Sequence, residues 1–273
     1  MDSSKTRTLG PRLIVGFSLG GIFLLSLLHP LAFTSWVAFA AFMALRELTA
    51  VLRAAGWLVP KATPLAAIAI AYSTYFFGTV GQWLSLLLSV SVLVTVRGIE
   101  LLVGKSFLSV KQALREFGAV AFQLVYVPLL ISFAILLITK PNGVTWVFAL
   151  VITVVMIDSF GYLVGRFFGR TKLIPAISPK KTWEGFLASV FGALAGGFLA
   201  GYLLDSSFLF GLLFGIAILI SSVLGDLSES LIKRDLSVKD MGDVLPGHGG
   251  FMDRLDSMLP SSFVAYLLSL VTF

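Results

Sequence analysis

Ten of the fourteen carboxylates in this 273-residue chain fall between Asp158 and Asp256. The bases standing among them decide what chemistry the set can do. Asp226, Glu229, Ser230 and Lys233 recur at i, i+3, i+4 and i+7, which predicts one face of a helix. Arg234 and Asp235 follow, and then Pro246-Gly247-His248-Gly249-Gly250, whose glycines allow backbone N–H groups to approach an anion closely. Asp253, Arg254 and Asp256 come next, with Asp253 and Asp256 spaced to share a face. A second cluster is Ser178-Pro179-Lys180-Lys181-Thr182-Trp183-Glu184-Gly185. There Ser178 ahead of Pro179 predicts a helix N-cap, with the two lysines on the first turn and Glu184 closing it. The third is Asp158, set in an apolar stretch eight residues before Arg166, roughly 12 Å along a helix. An acid at that depth is a functional candidate, weighed against a structural ion pair. Gly161, Gly165 and Gly169 open the same helix surface to close approach.

Converging carboxylates in a chain with no cysteine and only two histidines, His29 and His248, suit a hard, oxygen-seeking cation such as magnesium. Lysine beside them suits a polyphosphate as a mobile point charge. Metal, bases and a glycine loop together are equipment for phosphoryl or nucleotidyl transfer.

The elements that position these groups must lie in a bilayer. The chain is 58% hydrophobic and only 12% charged, about half the charge of a soluble domain. Nine segments are long and apolar enough to span: 13–28, 31–45, 62–79, 82–97, 119–139, 144–166, 185–204, 207–225 and 257–273. The first two flank His29-Pro30, and the second is the shortest. The expected fold is therefore an all-α polytopic transmembrane helical bundle of about nine spans. The N-terminal helices occupy 1–118 and a catalytic transmembrane region occupies 119–273. Lys5, Arg7 and Arg12 precede the first span without a small-residue cleavage site, so that span is expected to be retained.

Charge orients the bundle. With the N-terminus inside, every Lys and Arg except Lys140 falls in an inside segment, which the positive-inside rule requires. The C-terminus then lies outside, and the net charge of +6 needs no nucleic acid to explain it. The expected location is the inner (plasma) membrane, crossed many times, with the chemistry at the cytoplasmic face. Residues 105–118 place apolar positions between bases, as a helix lying in the interface or a plain loop helix would. Gly192, Gly196, Gly197 and Gly201 form two interlocked small-x-x-x-small pairs, suited either to a homodimer contact or to internal packing.

The run from Ser222 to Ser257 resembles the signature of the phosphatidate cytidylyltransferase family. It contains Gly225-Asp226, Ser228-Glu229-Ser230, Lys233-Arg234, Lys239-Asp240, Pro246-Gly247-His248-Gly249-Gly250, Asp253-Arg254 and Asp256. Asp158, Gly161-Tyr162, Gly165-Arg166 and Ser178 to Gly185 are similar to the family as well. Phe160 departs from it where a small residue is expected, and the first five spans match only as hydrophobic segments. The resemblance implies that CTP and phosphatidic acid give CDP-diacylglycerol and pyrophosphate with Mg2+, one ion or two. It implies Asp226 and Asp253 as leading metal ligands, with Asp256 and Asp158 next. Lys180, Lys181, Lys233, Arg234 and Arg254 become phosphate-binding candidates, Asp226, Asp253, Lys233, Arg234 and Arg254 forming the catalytic group. Ser178, Thr182, Glu184, Gly247, His248, Gly249 and Gly250 join the substrate-binding set.

Two other functions compete. A CTP-dependent polyprenol or phytol kinase would move the γ-phosphoryl group and release CDP. An ion transporter would need polar residues through several helices and an entrance outside, whereas the first five spans hold almost no ionisable residue and the outside loops are minimal.

Overall fold

The computed structural model describes residues 3–103, 109–245 and 249–271, with side chains from Val15 onward. In chain order the elements are α1 (Ser3–Ser26), α2 (Pro30–Ala54), α3 (Leu65–Val103), α4 (Val110–Leu124), a π-helical turn (Val125–Leu129), α5 (Leu130–Ile138), α6 (Gly143–Phe168), β1 (Lys172–Ile174), β2 (Ser178–Thr182), α7 (Trp183–Leu203), α8 (Phe208–Asp235), α9 (Met252–Leu255) and α10 (Met258–Val271). Among the described residues six helical stretches are long and apolar enough to cross a membrane: Pro30–Ala54, Leu65–Val103, Val110–Ile138, Gly143–Phe168, Trp183–Leu203 and Phe208–Asp235. Among the described residues the fold is all-α, as expected of a helical membrane protein, apart from one two-stranded antiparallel sheet. The residues form two compact units, one of Met1–Leu136 with Leu236–Leu255, the other of Leu137–Asp235 with Asp256–Phe273.

In the first unit, the His29-Pro30 pair starts a helix. The His29 imidazole Nδ1 accepts from Leu31 N–H at 3.1 Å, and Pro30 takes the first helical position, where its missing N–H costs nothing. α2 then runs to Ala54, well past the end at residue 45 expected from hydropathy. The positive-inside reading puts Arg46, Arg53 and Lys61 in an inside segment after residue 45. Glu47 is instead buried, and Arg53 donates to the Val59 carbonyl beyond the helix end. The segments expected at 62–79 and 82–97 are two parts of α3, which breaks at Gly78 (φ 60°, ψ −145°), a conformation only glycine adopts freely. The helix expected in the interface is the first half of a continuous stretch from Val110 to Ile138; residues 104–108 lie outside the described residues. Pro128 interrupts its hydrogen-bond ladder, and the π turn absorbs the missing bond. Arg97 donates twice to Glu116 (2.9 and 2.7 Å) and once to Glu100 (3.1 Å), while Leu58 N–H also donates to Glu116. These charges therefore hold helices α3 and α4 to the 55–60 turn.

In the second unit, α6, α7 and α8 meet through glycine. A Cβ at Gly192 would lie 2.6 Å from the Met156 carbonyl oxygen, and one at Gly196 2.8 Å from the Thr153 Cα. One at Gly197 would lie 2.7 Å from the Gly215 backbone. The small-residue stripe of α7 is therefore filled from within, by α6 on one side and α8 on the other, and does not supply a homodimer face. Ser189 on α7 donates to the Ile157 carbonyl of α6 at 2.9 Å, satisfying a hydroxyl buried in an apolar setting. Lys140, the one base expected outside, closes the far end: its ammonium donates to the Ser269 carbonyl (2.9 Å) and hydroxyl (2.7 Å).

Candidate active site

The charged residues singled out above divide between the two units. In the second unit α8 continues six residues beyond the Glu229 turn, so Asp226, Glu229, Ser230 and Lys233 do share one face. Ser230 donates to Asp226 at 3.4 Å and Lys233 to Glu229 at 2.5 Å. Lys181, arriving from β2, pairs with the Asp226 carboxylate at 2.5 Å. Gly225 permits α10 to approach: a Cβ there would lie 2.9 Å from the Pro260 ring. That approach sets Asp256 beside Asp226. Burial first, and then the Asp226 charge, push Asp256 up to about 6, against opposing bonds from Ser257 N–H (2.7 Å) and Glu229. Two carboxylates so placed compete for one positive charge.

The lysine segment is built differently from the expected helix start. Ser178 caps nothing. It opens β2, pairing with Ile174, and the strand carries Lys180 exposed and Lys181 half-buried. Pro179 is tolerated because this is an edge strand of a two-stranded sheet. Thr182 is the N-cap of α7, accepting from Gly185 N–H at 3.2 Å. The Glu184 carboxylate accepts from the Arg170 and Thr171 amides (3.2 and 3.1 Å), pinning the turn that follows α6. Gly161 and Gly165 let α6 lie against Gly185 and Thr182. Arg234, exposed at the end of α8, donates to the Ile177 carbonyl at 3.1 Å and so ties the hairpin to that helix. Asp158 is exposed on α6.

The first unit carries the glycine-rich segment. Asp253, at the start of α9, accepts from Met241 N–H (3.1 Å) and Gly250 N–H (2.8 Å). Leu245 N–H donates to the Gly249 carbonyl at 3.0 Å. Gly249 sits at φ +78°, and a Cβ there would meet the Asp253 carboxylate at 2.9 Å. Gly247 and His248 lie outside the described residues, and Arg254 is exposed. Sequence reasoning missed Glu47, which accepts from the Phe251 and Met252 amides (3.0 and 2.9 Å). The signal was available: an acid within an otherwise apolar helix.

Among the described residues no three histidines or acids converge as a complete metal cage. The donors present are hard oxygens, and Asp226 and Asp256 are held close enough to raise the proton affinity of one. That suits a magnesium ion completing its shell with substrate phosphates and water.

A model of the cytidylyltransferase family matches residues 10–272. The chain is 38% identical to the phosphatidate cytidylyltransferase of Mycobacterium bovis over 278 residues, covering 97% of this chain and 90% of that protein. It is 39% identical to that of Mycobacterium leprae over 277 residues, covering 96% and 88%. A shorter match, 47% identical over 111 residues, links 40% of this chain to 28% of the chloroplastic phosphatidate cytidylyltransferase 5 of Arabidopsis thaliana. The match to the two bacterial proteins takes in the N-terminal helices as well as the charged C-terminal segments, and the chain belongs to the cytidylyltransferase family.

Proposed function

We propose that the chain is an integral membrane CDP-diacylglycerol synthase, transferring the cytidylyl group of CTP to phosphatidate. The observation that carries this reading is the near full-length similarity to two bacterial phosphatidate cytidylyltransferases. The carboxylates and bases of residues 178–256 are its chemical counterpart. A phosphatidate oxygen is already a nucleophile, so no side chain need remove a proton. It attacks the α-phosphorus of CTP, the bond to the bridging oxygen breaks, and pyrophosphate leaves with that electron pair. The chain's task is to bring two anions together and to hold the leaving group. Lys180, Lys181, Lys233, Arg234 and Arg254 bind phosphate oxygens, and Gly247, His248, Gly249 and Gly250 complete the substrate-binding set of this reading. Asp226, Asp253, Asp256 and Asp158 are the metal ligands of this reading. Magnesium held by these carboxylates would supply charge neutralisation at the phosphates and polarise the reacting phosphoryl group. Thr182 and Glu184 act by shaping the entry to α7.

CTP comes from water and phosphatidate from the bilayer, so the reaction belongs at the cytoplasmic face of the cell membrane. The proposed topology has nine crossings, N-terminus inside and C-terminus outside, with α3 contributing two on either side of Gly78. Product analysis tests the function: purified protein must release pyrophosphate only when CTP and phosphatidate are both present. Pyrophosphate release indifferent to the lipid sinks the reading.

A further inference from the structure

We infer that Glu47, on α2, is the positioning residue that holds the Asp253 segment in place, and that Gly242 and Gly250 are glycines because they pack on it. A carboxylate in an apolar helix is costly unless both oxygens are satisfied. Glu47 is buried, with Phe251 N–H donating to one oxygen at 3.0 Å and Met252 N–H to the other at 2.9 Å. These amides open α9 and have no partner inside so short a helix. The preceding amide, Gly250 N–H, points to Asp253 instead, at 2.8 Å. Three successive amides are thus divided between two carboxylates, and the orientation of Asp253 depends on a backbone that Glu47 anchors.

The glycines make the same point from the other side. A Cβ on Gly242 would lie 2.6 Å from the Glu47 Cδ, and one on Gly250 would also fall within contact of the carboxylate carbon, at 2.6 Å. The Phe251 ring packs edge-on to Phe39 (5.5 Å) and Trp36 (6.5 Å), two further residues of α2. No other buried charge reaches this segment from α2, and none of the transferred chemistry requires Glu47 itself. Its bonds are charge-assisted and therefore stronger than neutral ones. Glu47→Gln keeps the shape but turns an NH2 toward a backbone N–H, losing one bond and adding a repulsion.

The inference rests on the reading of Asp253 as a metal ligand, and the experiment separates the two. Glu47→Gln, Gly242→Ala and Asp253→Asn are made in the full chain and purified in detergent. Glu47→Gln is expected to lower kcat about ten- to a hundredfold and to raise the magnesium concentration for half-maximal rate. The KM for CTP should stay within about twofold of the parent. Hydrogen exchange should rise at 249–253 and stay unchanged in α6 to α8. Gly242→Ala, which crowds the carboxylate from the segment's side, should reproduce all of this, and it decides the matter where Glu47→Gln does not fold. A folded variant with parental kcat, magnesium requirement and exchange overturns the inference, and so does a loss accompanied by faster exchange throughout the chain. If Asp253→Asn retains turnover while Glu47→Gln still frees the 249–253 amides, the metal reading of Asp253 fails and the anchoring by Glu47 stands.

Discussion

Lys181 and Asp226 approach to 2.5 Å with both side chains partly open to solvent. A pair so exposed contributes under about 1 kcal/mol to stability, so its value lies in what the two charges can bind. Lys181→Ala should therefore leave folding intact and raise the KM for CTP about tenfold, with a smaller effect on phosphatidate, because binding lost uniformly to one substrate appears in that substrate's KM. Kinetics in mixed micelles, varying CTP and the surface fraction of phosphatidate separately, read this directly; an effect confined to the lipid would reverse the assignment. Asp256 makes a second residue-scale test. Its folded value of about 6 lies above the ordinary carboxylate value of 3.8, so the folded chain holds the proton more tightly than the unfolded one. Stability from this group thus grows as pH falls from 6 toward 4 and is lost above 6. Asp256→Asn should raise the melting temperature in metal-free buffer at pH 7.5, by about 1–3 kcal/mol of stability, and leave it unchanged at pH 4. The residue types and spacing of this cluster were readable from the sequence. Glu47 was legible only as an acid in an apolar helix; what it holds was not, because its partners are backbone amides about two hundred residues away, which no local pattern displays.

At the scale of elements, helices were legible wherever apolar length alone decides, as in α6, α7 and α8. Boundaries failed where a charge is satisfied by distant groups. α2 outran its expected end because Glu47 and Arg53 find partners, and α3 joined two expected spans because a glycine can kink a helix without a loop. In the lysine segment Ser178-Pro179 suggests a helix start, because Ser-Pro is also a capping pattern. Its pairing with Lys172–Ile174 is a tertiary fact. The glycines of α7 were recognised, and the structure shows which neighbours use them. Gly197→Leu should force α7 and α8 apart, since even a Cβ would lie 2.7 Å from Gly215. Thermal unfolding in detergent should show a loss of about 1–3 kcal/mol or failure to fold. Parental stability would mean that this contact is not close-packed.

At the scale of the whole molecule, the placement of bases sets the expected orientation, and Lys140 is the informative exception. It is held between Ser269 and the Tyr266 ring, and burial lowers its pKa, so it serves packing rather than topology. The proposed orientation puts the remaining bases inside, so single cysteines placed at Lys180 and Lys239 should resist a membrane-impermeant thiol reagent in sealed right-side-out vesicles and react once the vesicles are opened. Labelling from outside at either site contradicts the orientation. Which phosphorus of CTP is attacked separates cytidylyl transfer from phosphoryl transfer, and a doubly labelled nucleotide reads it. Purified protein is incubated with phosphatidate, magnesium and CTP carrying one label on cytosine and another on the γ-phosphate. The account predicts that the cytosine label enters the lipid while the γ label leaves as pyrophosphate in equal amount. Entry of the γ label into lipid, with the cytosine label released as CDP, would contradict it.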